Sequence, residues 1–296
     1  MDFIMSEEKI KINLFDSLGD HFYKEYGFWG MTPFIEPSKV EWIKPGLREF
    51  DGITVFTDNH LHGSFVDMID SKFKVALLNE CPTIHRHAYD HILRSEDRFD
   101  YILTYEQSLL DRGEKYILNP IGTSRVKDED AKIYEKTKLV SLIASRNSLT
   151  RGHRLRHRVA KAIIDDRNPK KVEFWGRNSY KTFPEGGKAA VLKDYHFDIV
   201  IENAKHTNYF TEKIVDNFRT GTVPIYWGCK NIGDFFNEKG IIKFETPAEL
   251  INILKNLTTD EYRDKFEYVK ENFERAKNWV CMDDNSFDNI KKTGLI

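Results

Sequence analysis

The sequence predicts an α/β fold built on open parallel sheets, and three observations carry that expectation. Short runs rich in Val, Ile, Phe and Tyr alternate with helical stretches almost throughout, the pattern of repeated βαβ units. Several of these runs are apolar on both parities, as strands covered by helices on both faces must be. The chain has 296 residues, against roughly 150 for an average domain, so two units or one large one are expected.

Taken in order, the expected strands are Lys11–Phe15, Gly52–Thr57, Phe73–Asn79, Asp100–Thr104, Lys138–Ala144, Lys171–Trp175, Phe197–Glu202, Thr222–Tyr226 and Ile241–Phe244. Helix starts are legible towards the end. Thr246-Pro247-Ala248-Glu249 is a capping box with Pro at the first helical position. Thr258-Thr259-Asp260-Glu261 is a second box. It opens one amphipathic helix with Tyr262, Phe266, Val269, Phe273, Ala276 and Val280 on a single stripe, docked on its own body rather than on a second copy. The charged segment Lys127-Asp128-Glu129-Asp130-Ala131-Lys132 marks the neighbourhood of a domain boundary. Its D-x-D matches a sugar-nucleotide metal motif. No apolar strand precedes it to bury a metal site, so a solvated linker is expected.

Composition excludes several classes. Lys+Arg number 45 and Asp+Glu 47, a net charge of −2, which gives no support for a nucleic-acid binder. Hydrophobic residues at 40% are enough to bury a core. No apolar run reaches the roughly 18–20 residues of a membrane helix. The acidic start, Met1-Asp2-Phe3-Ile4-Met5-Ser6-Glu7-Glu8, is no secretory signal. Cys81, Cys229 and Cys281 are odd in number and far apart, which points to a reducing compartment.

The most informative stretch is Phe197-Asp198-Ile199-Val200-Ile201-Glu202-Asn203, a short loop, then Tyr209-Phe210-Thr211-Glu212-Lys213 and Val223-Pro224-Ile225-Tyr226-Trp227-Gly228. Physically it reads as strand, loop, helix, strand. Ligands of open α/β sheets bind beyond the carboxyl ends of the strands, and a helix start offers free N–H groups and a positive dipole end to an anion. Lys213 in that first turn opposes the dipole. Either an anionic ligand explains it, or it is a surface Lys paired with Glu212.

This string closely resembles the donor-binding signature of the α-1,3/1,4-fucosyltransferases, glycosyltransferase family 10, with Ile201 where the family has Phe. Upstream, Leu142-Ile143-Ala144-Ser145-Arg146-Asn147 and Arg151-Gly152-His153-Arg154-Leu155-Arg156 look like the family's strand, turn and Arg-bearing helix. Arg156 fits best, with Val159 and Ile163 then on apolar positions, and Arg154 is its competitor. Phe174-Trp175-Gly176-Arg177 resembles the F-G-R strand end, and Leu78-Asn79-Glu80-Cys81-Pro82 resembles E-S-P, with Cys81 where Ser is usual. Phe99–Tyr105 resembles a further strand of the family. The resemblance covers roughly residues 50–245 and is strong at 197–228.

The resemblance implies two Rossmann-like domains facing each other across a cleft, the GT-B architecture. It places an acceptor-side domain at 1–137, a donor domain at 138–275 and a tail at 276–296. It implies inverting, metal-independent transfer of L-fucose from GDP-β-L-fucose to a glycan hydroxyl, α-1,3 on GlcNAc or Glc, with no further cofactor. Glu80 would be the base; Arg156, Glu202, Asn203, Tyr209, Thr211, Glu212 and Lys213 would bind the donor. Glu202 has a second reading, as a mere cap of its strand. Animal relatives carry an N-terminal anchor, whereas this chain starts almost at its first strand, so a cytoplasmic enzyme of bacterial or viral type is expected. Peripheral membrane binding stays open. Two readings compete. His60, His62, His87 and His91 could hold Zn²⁺ in a hydrolase, H-x-H at a strand end plus an i, i+4 pair. A non-catalytic sugar-nucleotide or glycan binder would share the fold.

Overall fold

The computed structural model describes residues 8–16, 23, 27–32, 35–167, 170–176 and 181–296. The chain divides into two compact units, Met1–Ile121 with Cys281–Ile296, and Gly122–Val280. Each is built on its own parallel sheet.

The first unit runs β1 (Ile10–Phe15), β2 (Val40–Ile43), β3 (Glu49–Thr57), α1 (Gly63–Val66), β4 (Asp70–Leu77), α2 (Arg86–Ser95), β5 (Tyr101–Thr104), α3 (Gln107–Leu110) and β6 (Tyr116–Leu118). The strand order is β2-β1-β3-β4-β5-β6, with Val55 beside Val75 and Leu77 beside Leu103 in register. One face packs Phe56, Ala76 and Ile102 against Ala88 and Ile92 of α2. The other packs Ile12, Val55 and Val75 against Phe287 and Ile290 from the end of the chain. Covering both faces is what made these strands apolar on both parities. The edge strands β2 and β6 were not expected. They have four and three residues.

The second unit runs β7 (Lys138–Ile143), α4 (Arg151–Asp165), β8 (Glu173–Trp175), α5 (Gly187–Leu192), β9 (Tyr195–Ile201), α6 (Glu212–Arg219), β10 (Val223–Trp227), β11 (Ile242–Lys243), α7 (Pro247–Asn256), α8 (Thr259–Asp264) and α9 (Phe266–Ala276). The strand order is β11-β10-β9-β7-β8. The order therefore reverses between β7 and β9, and a crevice for ligands opens beyond the carboxyl ends of strands at such a point. The Thr half of each expected capping box forms: Thr246 Oγ1 accepts from Glu249 N at 3.2 Å and Thr258 Oγ1 from Glu261 N at 3.3 Å, while the Glu249 carboxylate reaches one residue further back and accepts from Glu245 N at 2.8 Å. The single helix expected after Thr258 is instead two, α8 and α9, separated at Lys265, whose N–H is shared between the carbonyls of Glu261 and Tyr262. The stripe still faces inwards at Tyr262, Val269 and Ala276, while Phe266 is 38% exposed.

Residues 122–137 belong to the second unit, so the units part upstream of the expected 137/138 boundary. This segment has no strand to reveal its allegiance. Side-chain bonds fix it instead: Asp216 accepts from Ser124 Oγ and Arg125 N. Lys136 Nζ donates to the carbonyls of Leu192 and Thr220 and to Thr222 Oγ1. The D-x-D lies in a single 3-10 turn, Asp128–Asp130, with no buried residue; Asp128 accepts from Arg219 Nη2 at 2.6 Å.

The expected tail at 276–296 divides too. Residues 281–296 return to the first unit as α10 (Met282–Lys292). Asp283 is fully buried, its Oδ1 accepting from Met31 N and Trp42 Nε1 at 2.7 Å and its Oδ2 from Thr32 N at 2.9 Å. Among the described residues no helix is long and apolar enough to cross a membrane.

Candidate functional site

In the second unit, two helix starts and a strand end meet at the β7/β9 reversal. Gly152, in the first turn of α4, donates its N–H to Asn203 O at 3.0 Å. A Cβ at Gly152 would lie 1.7 Å from Glu202 O, so only glycine lets the helix start press onto the end of β9. Thr150 caps α4 by accepting from His153 N, and His153 Nδ1 accepts from Thr150 N. Burial, then the neighbouring Arg156, Lys213 and His157 charges, push His153 down to about 4. It is therefore a neutral acceptor at pH 7, as the cap requires.

Arg156 sits one turn further along α4, 5% exposed. Its Nε and Nη2 both donate to Ile201 O, the last carbonyl of β9, and Nη2 also donates to Asn203 Oδ1 at 3.0 Å. Burial lowers its pKa against the opposing pull of Glu202, Glu212 and Tyr209, but a guanidinium starts so high that it stays a cation. Arg154 points elsewhere. It is exposed and donates to the carbonyls of Ser148 and Leu149. Of the two candidates, Arg156 is the one joined to the strand end.

Glu202 is fully buried. Its Oε1 accepts from Thr211 N at 3.0 Å and its Oε2 from Thr211 Oγ1 at 2.7 Å. That clamps the start of α6 onto the end of β9. The Thr211 hydroxyl also accepts from Lys213 N and from Lys213 Nζ at 2.9 Å, which uses its one proton and both lone pairs. Gly228 keeps the clamp open, since a Cβ there would lie 2.6 Å from Glu202 Cγ. Lys213 Nζ is also 3.5 Å from Glu202 Oε2 and 3.4 Å from Glu212 Oε1, with 22% of its side chain exposed. Tyr209 is buried beside them.

Three residues that sequence reasoning missed complete the cluster. Lys188 Nζ is 3.5 Å from Glu212 Oε1 and 3.0 Å from Asp216 Oδ2, and Arg125 Nε is 4.0 Å from Glu212 Oε1. Burial would push the Glu212 carboxyl up. Lys213, Lys188 and Arg125 outweigh it and hold Glu212 well below the usual carboxylate range. The cluster sets four cations, Arg156, Lys213, Lys188 and Arg125, against three carboxylates, Glu202, Glu212 and Asp216. Four cations beside two positive helix-dipole ends suit an anionic ligand.

In the first unit, Glu80 lies on the turn after β4. Asn79 N donates to Asp58 Oδ1 at 3.1 Å, Tyr89 Oη donates to Glu80 O at 2.8 Å, and Ile84 N and His85 N both donate to Cys81 O. The turn is thus pinned on both sides of Glu80. His85 Nδ1 is 3.4 Å from Asp58 Oδ2. The bond to Asp58 outweighs burial and raises the His85 pKa. The four histidines of the metal reading do not converge. His60 packs on the Phe15 and Phe65 rings, His62 meets the His91 ring at 4.6 Å, and His87 is exposed. Among the described residues no group of three or more His, Cys, Asp or Glu could hold a metal. Arg177 lies outside the described residues.

The family model described as the glycosyltransferase family 10 (fucosyltransferase) C-terminal region matches residues 133–287. The chain belongs to glycosyltransferase family 10. Among family relatives, the α-(1,3)-fucosyltransferase FucT of Helicobacter pylori is 36% identical over 75 residues, which is 24% of this chain and 16% of that protein. The α-(1,4)-fucosyltransferase of Arabidopsis thaliana is 36% identical over 72 residues, 23% and 18% of the two chains. The chain thus matches less than a fifth of the length of these relatives. Whole-length likeness comes from solved structures. A crystal structure of an α1,3-fucosyltransferase with GDP-fucose superposes with a TM-score of 0.58 at 17% identity, over 100% of this chain and 93% of that one. An α,α-trehalose-phosphate synthase from Burkholderia vietnamiensis reaches 0.56 at 12% identity, over 82% and 72%. At these identities the likeness is one of fold, the two-Rossmann GT-B class expected for family 10.

Proposed function

We propose that this family 10 member transfers L-fucose from GDP-β-L-fucose to a hydroxyl of a glycan acceptor, α-1,3 on GlcNAc or Glc, with inversion and without a metal. The observation that carries the donor half is the joining of Arg156, Lys213 and the start of α6 at the end of β9. The acceptor hydroxyl gives its proton to the Glu80 carboxylate while its oxygen attacks the anomeric carbon. The bond from that carbon to the diphosphate oxygen breaks, and GDP leaves with the electron pair. Attack opposite a β-linked leaving group gives an α-linked product. Charge grows on the diphosphate as the bond breaks, and fixed cations aimed at it lower the barrier. Arg156 and Lys213 supply that charge, and the helix start adds N–H donors.

The remaining residues divide by their contacts. Asn203 and Tyr209 line the donor site and Glu212 holds donor hydroxyls. Glu202 and Thr211, whose polar atoms are taken up by each other and by Lys213, act by holding the start of α6 in place. The cytoplasm, where GDP-fucose is made, is the proposed place of reaction.

The test is GDP release from GDP-fucose over an acceptor panel including N-acetyllactosamine and lactose, with and without EDTA. The expected result is acceptor-dependent release, unchanged by EDTA. GDP-fucose binding with no turnover on any acceptor would make the protein a binder. Loss of turnover in EDTA would overturn the metal-free mechanism.

A further inference from the structure

We propose that Lys188 is a positioning residue for donor binding, fixing the Glu212 carboxylate from below and tying it through Asp216 to the Ser124–Arg125 segment. The inference rests on the donor-site reading of Glu212. Lys188 is delivered by Pro184-Glu185-Gly186-Gly187-Lys188, in which Gly186 and Gly187 take φ of 86° and 62°. Two successive left-handed residues turn the chain sharply, and glycine adopts them without strain. The turn aims the side chain inwards, where it is 14% exposed.

Its ammonium lies between two carboxylates, Asp216 at 3.0 Å and Glu212 at 3.5 Å. Burial disfavours the charge, yet Asp216 and Glu212 more than offset it and raise the Lys188 pKa. Asp216 is fully buried, and its other oxygen accepts from Ser124 Oγ and Arg125 N at 2.9 and 2.7 Å. It is therefore a fixed anchor. Lys213 approaches the same Glu212 oxygen from the partly open side, at 3.4 Å. Glu212 Oε1 is thus shared by a partly exposed cation, Lys213, and a more buried one, Lys188, that is anchored on Asp216, with Arg125 further off at 4.0 Å. A carboxylate that must meet hydroxyls in one orientation gains from such support, and removing the lower cation frees it to rotate towards Lys213.

The test is a double-mutant cycle on the full chain, reading the KM for GDP-fucose, kcat, and the melting temperature as a check on folding. Glu212→Gln and Lys188→Met should each raise the KM about ten-fold or more. The double variant should be no worse than the poorer single one, because Lys188 acts through Glu212. Lys188→Arg should return the KM to within about three-fold of the wild type. Additive single effects, or a wild-type KM in Lys188→Met, overturn the inference while leaving the donor site standing. A wild-type KM in Glu212→Gln overturns the donor-site reading itself and this inference with it. Should Lys188→Met not fold, Asp216→Asn removes the anchor and keeps the cation: a raised KM supports the proposal and an unchanged one overturns it.

Discussion

The strand ends of the two units carry different kinds of chemistry. Beyond β9, nearly every polar group is committed to another: Glu202 to Thr211, Thr211 to Lys213, Lys213 to Glu212, Lys188 to Glu212 and Asp216. Beyond β4, the backbone is held instead, with Asp58 and Tyr89 gripping the main chain on either side of Glu80. The first is a network of interlocked charges. The second is a rigid perch for one carboxylate. In the proposed reaction the first would meet a diphosphate and the second an acceptor hydroxyl, so the two strand ends would be asked for different things: fixed charge at one, one well-aimed carboxylate at the other. The strong part of the family resemblance, 197–228, lies within the second unit.

The comparison predicts a division of labour. The largest effects should come from Glu80→Ala and Lys213→Ala, each lowering turnover about 10²–10⁴-fold with the fold retained by circular dichroism. They should differ in binding. Calorimetry should show GDP-fucose affinity kept in Glu80→Ala and weakened in Lys213→Ala. Near-normal turnover in Glu80→Ala removes it as the base. Next comes Arg156→Lys. An ammonium keeps the charge but loses the planar fork that holds it on Ile201 O and Asn203, so the cation is no longer fixed in place and GDP affinity should drop about ten-fold. A wild-type affinity would show that charge alone suffices.

Gly152→Ala forces a methyl into Glu202 O. It should destabilise the protein by about 3 kcal/mol or more, a size reserved for such clashes, read as a lower urea midpoint. An equivalent change at Gly113, where a Cβ meets nothing within 4 Å, should cost about 1 kcal/mol through its positive φ alone.

The smallest effect concerns Asp198, buried inside β9 and bonded to Ser141 Oγ and Asn217 Nδ2. Burial pushes it up to about 7 against the pull of those donors and of Lys188. A carboxyl raised in the folded state binds its proton more tightly there than in the unfolded chain. Its contribution to stability is therefore present below about pH 4 and lost as pH rises to about 7. Asp198→Asn should gain on the wild type across that window, by about 1 kcal/mol or more. Parallel urea midpoints of the two proteins from pH 4 to 7 would show that Asp198 does not titrate there.

Much of this was legible in the chain. Each of the nine expected strands has its counterpart, most of them because parallel strands buried on both faces announce themselves as solid apolar runs. The misses have local causes. Val40–Ile43 and Tyr116–Leu118 are short edge strands, each paired with a single neighbour, and one helix was expected where Lys265 divides two. The signature carried Arg156, Glu202, Asn203, Tyr209, Thr211, Glu212 and Lys213 to one strand end. It missed Lys188, Arg125 and Asp216, because an ion pair between residues 24 apart, such as Lys188 and Glu212, obeys no helical or strand period. The pair Gly186-Gly187 was the available signal, as a turn forced next to a Lys.

Asp283, with its three bonds to Met31, Thr32 and Trp42, makes the second unit an insertion. The first unit is sewn from both ends of the chain, and residues 122–280 are a single loop out of it. If the second unit binds the donor as proposed, donor specificity should be exchanged between relatives as one cassette, 122–280. Cutting the chain before Cys281, by contrast, would strip Phe287 and Ile290 from the core of the first unit, so damage at residues 281–296 would be felt at Ile12 and Val40, near the other end of the sequence.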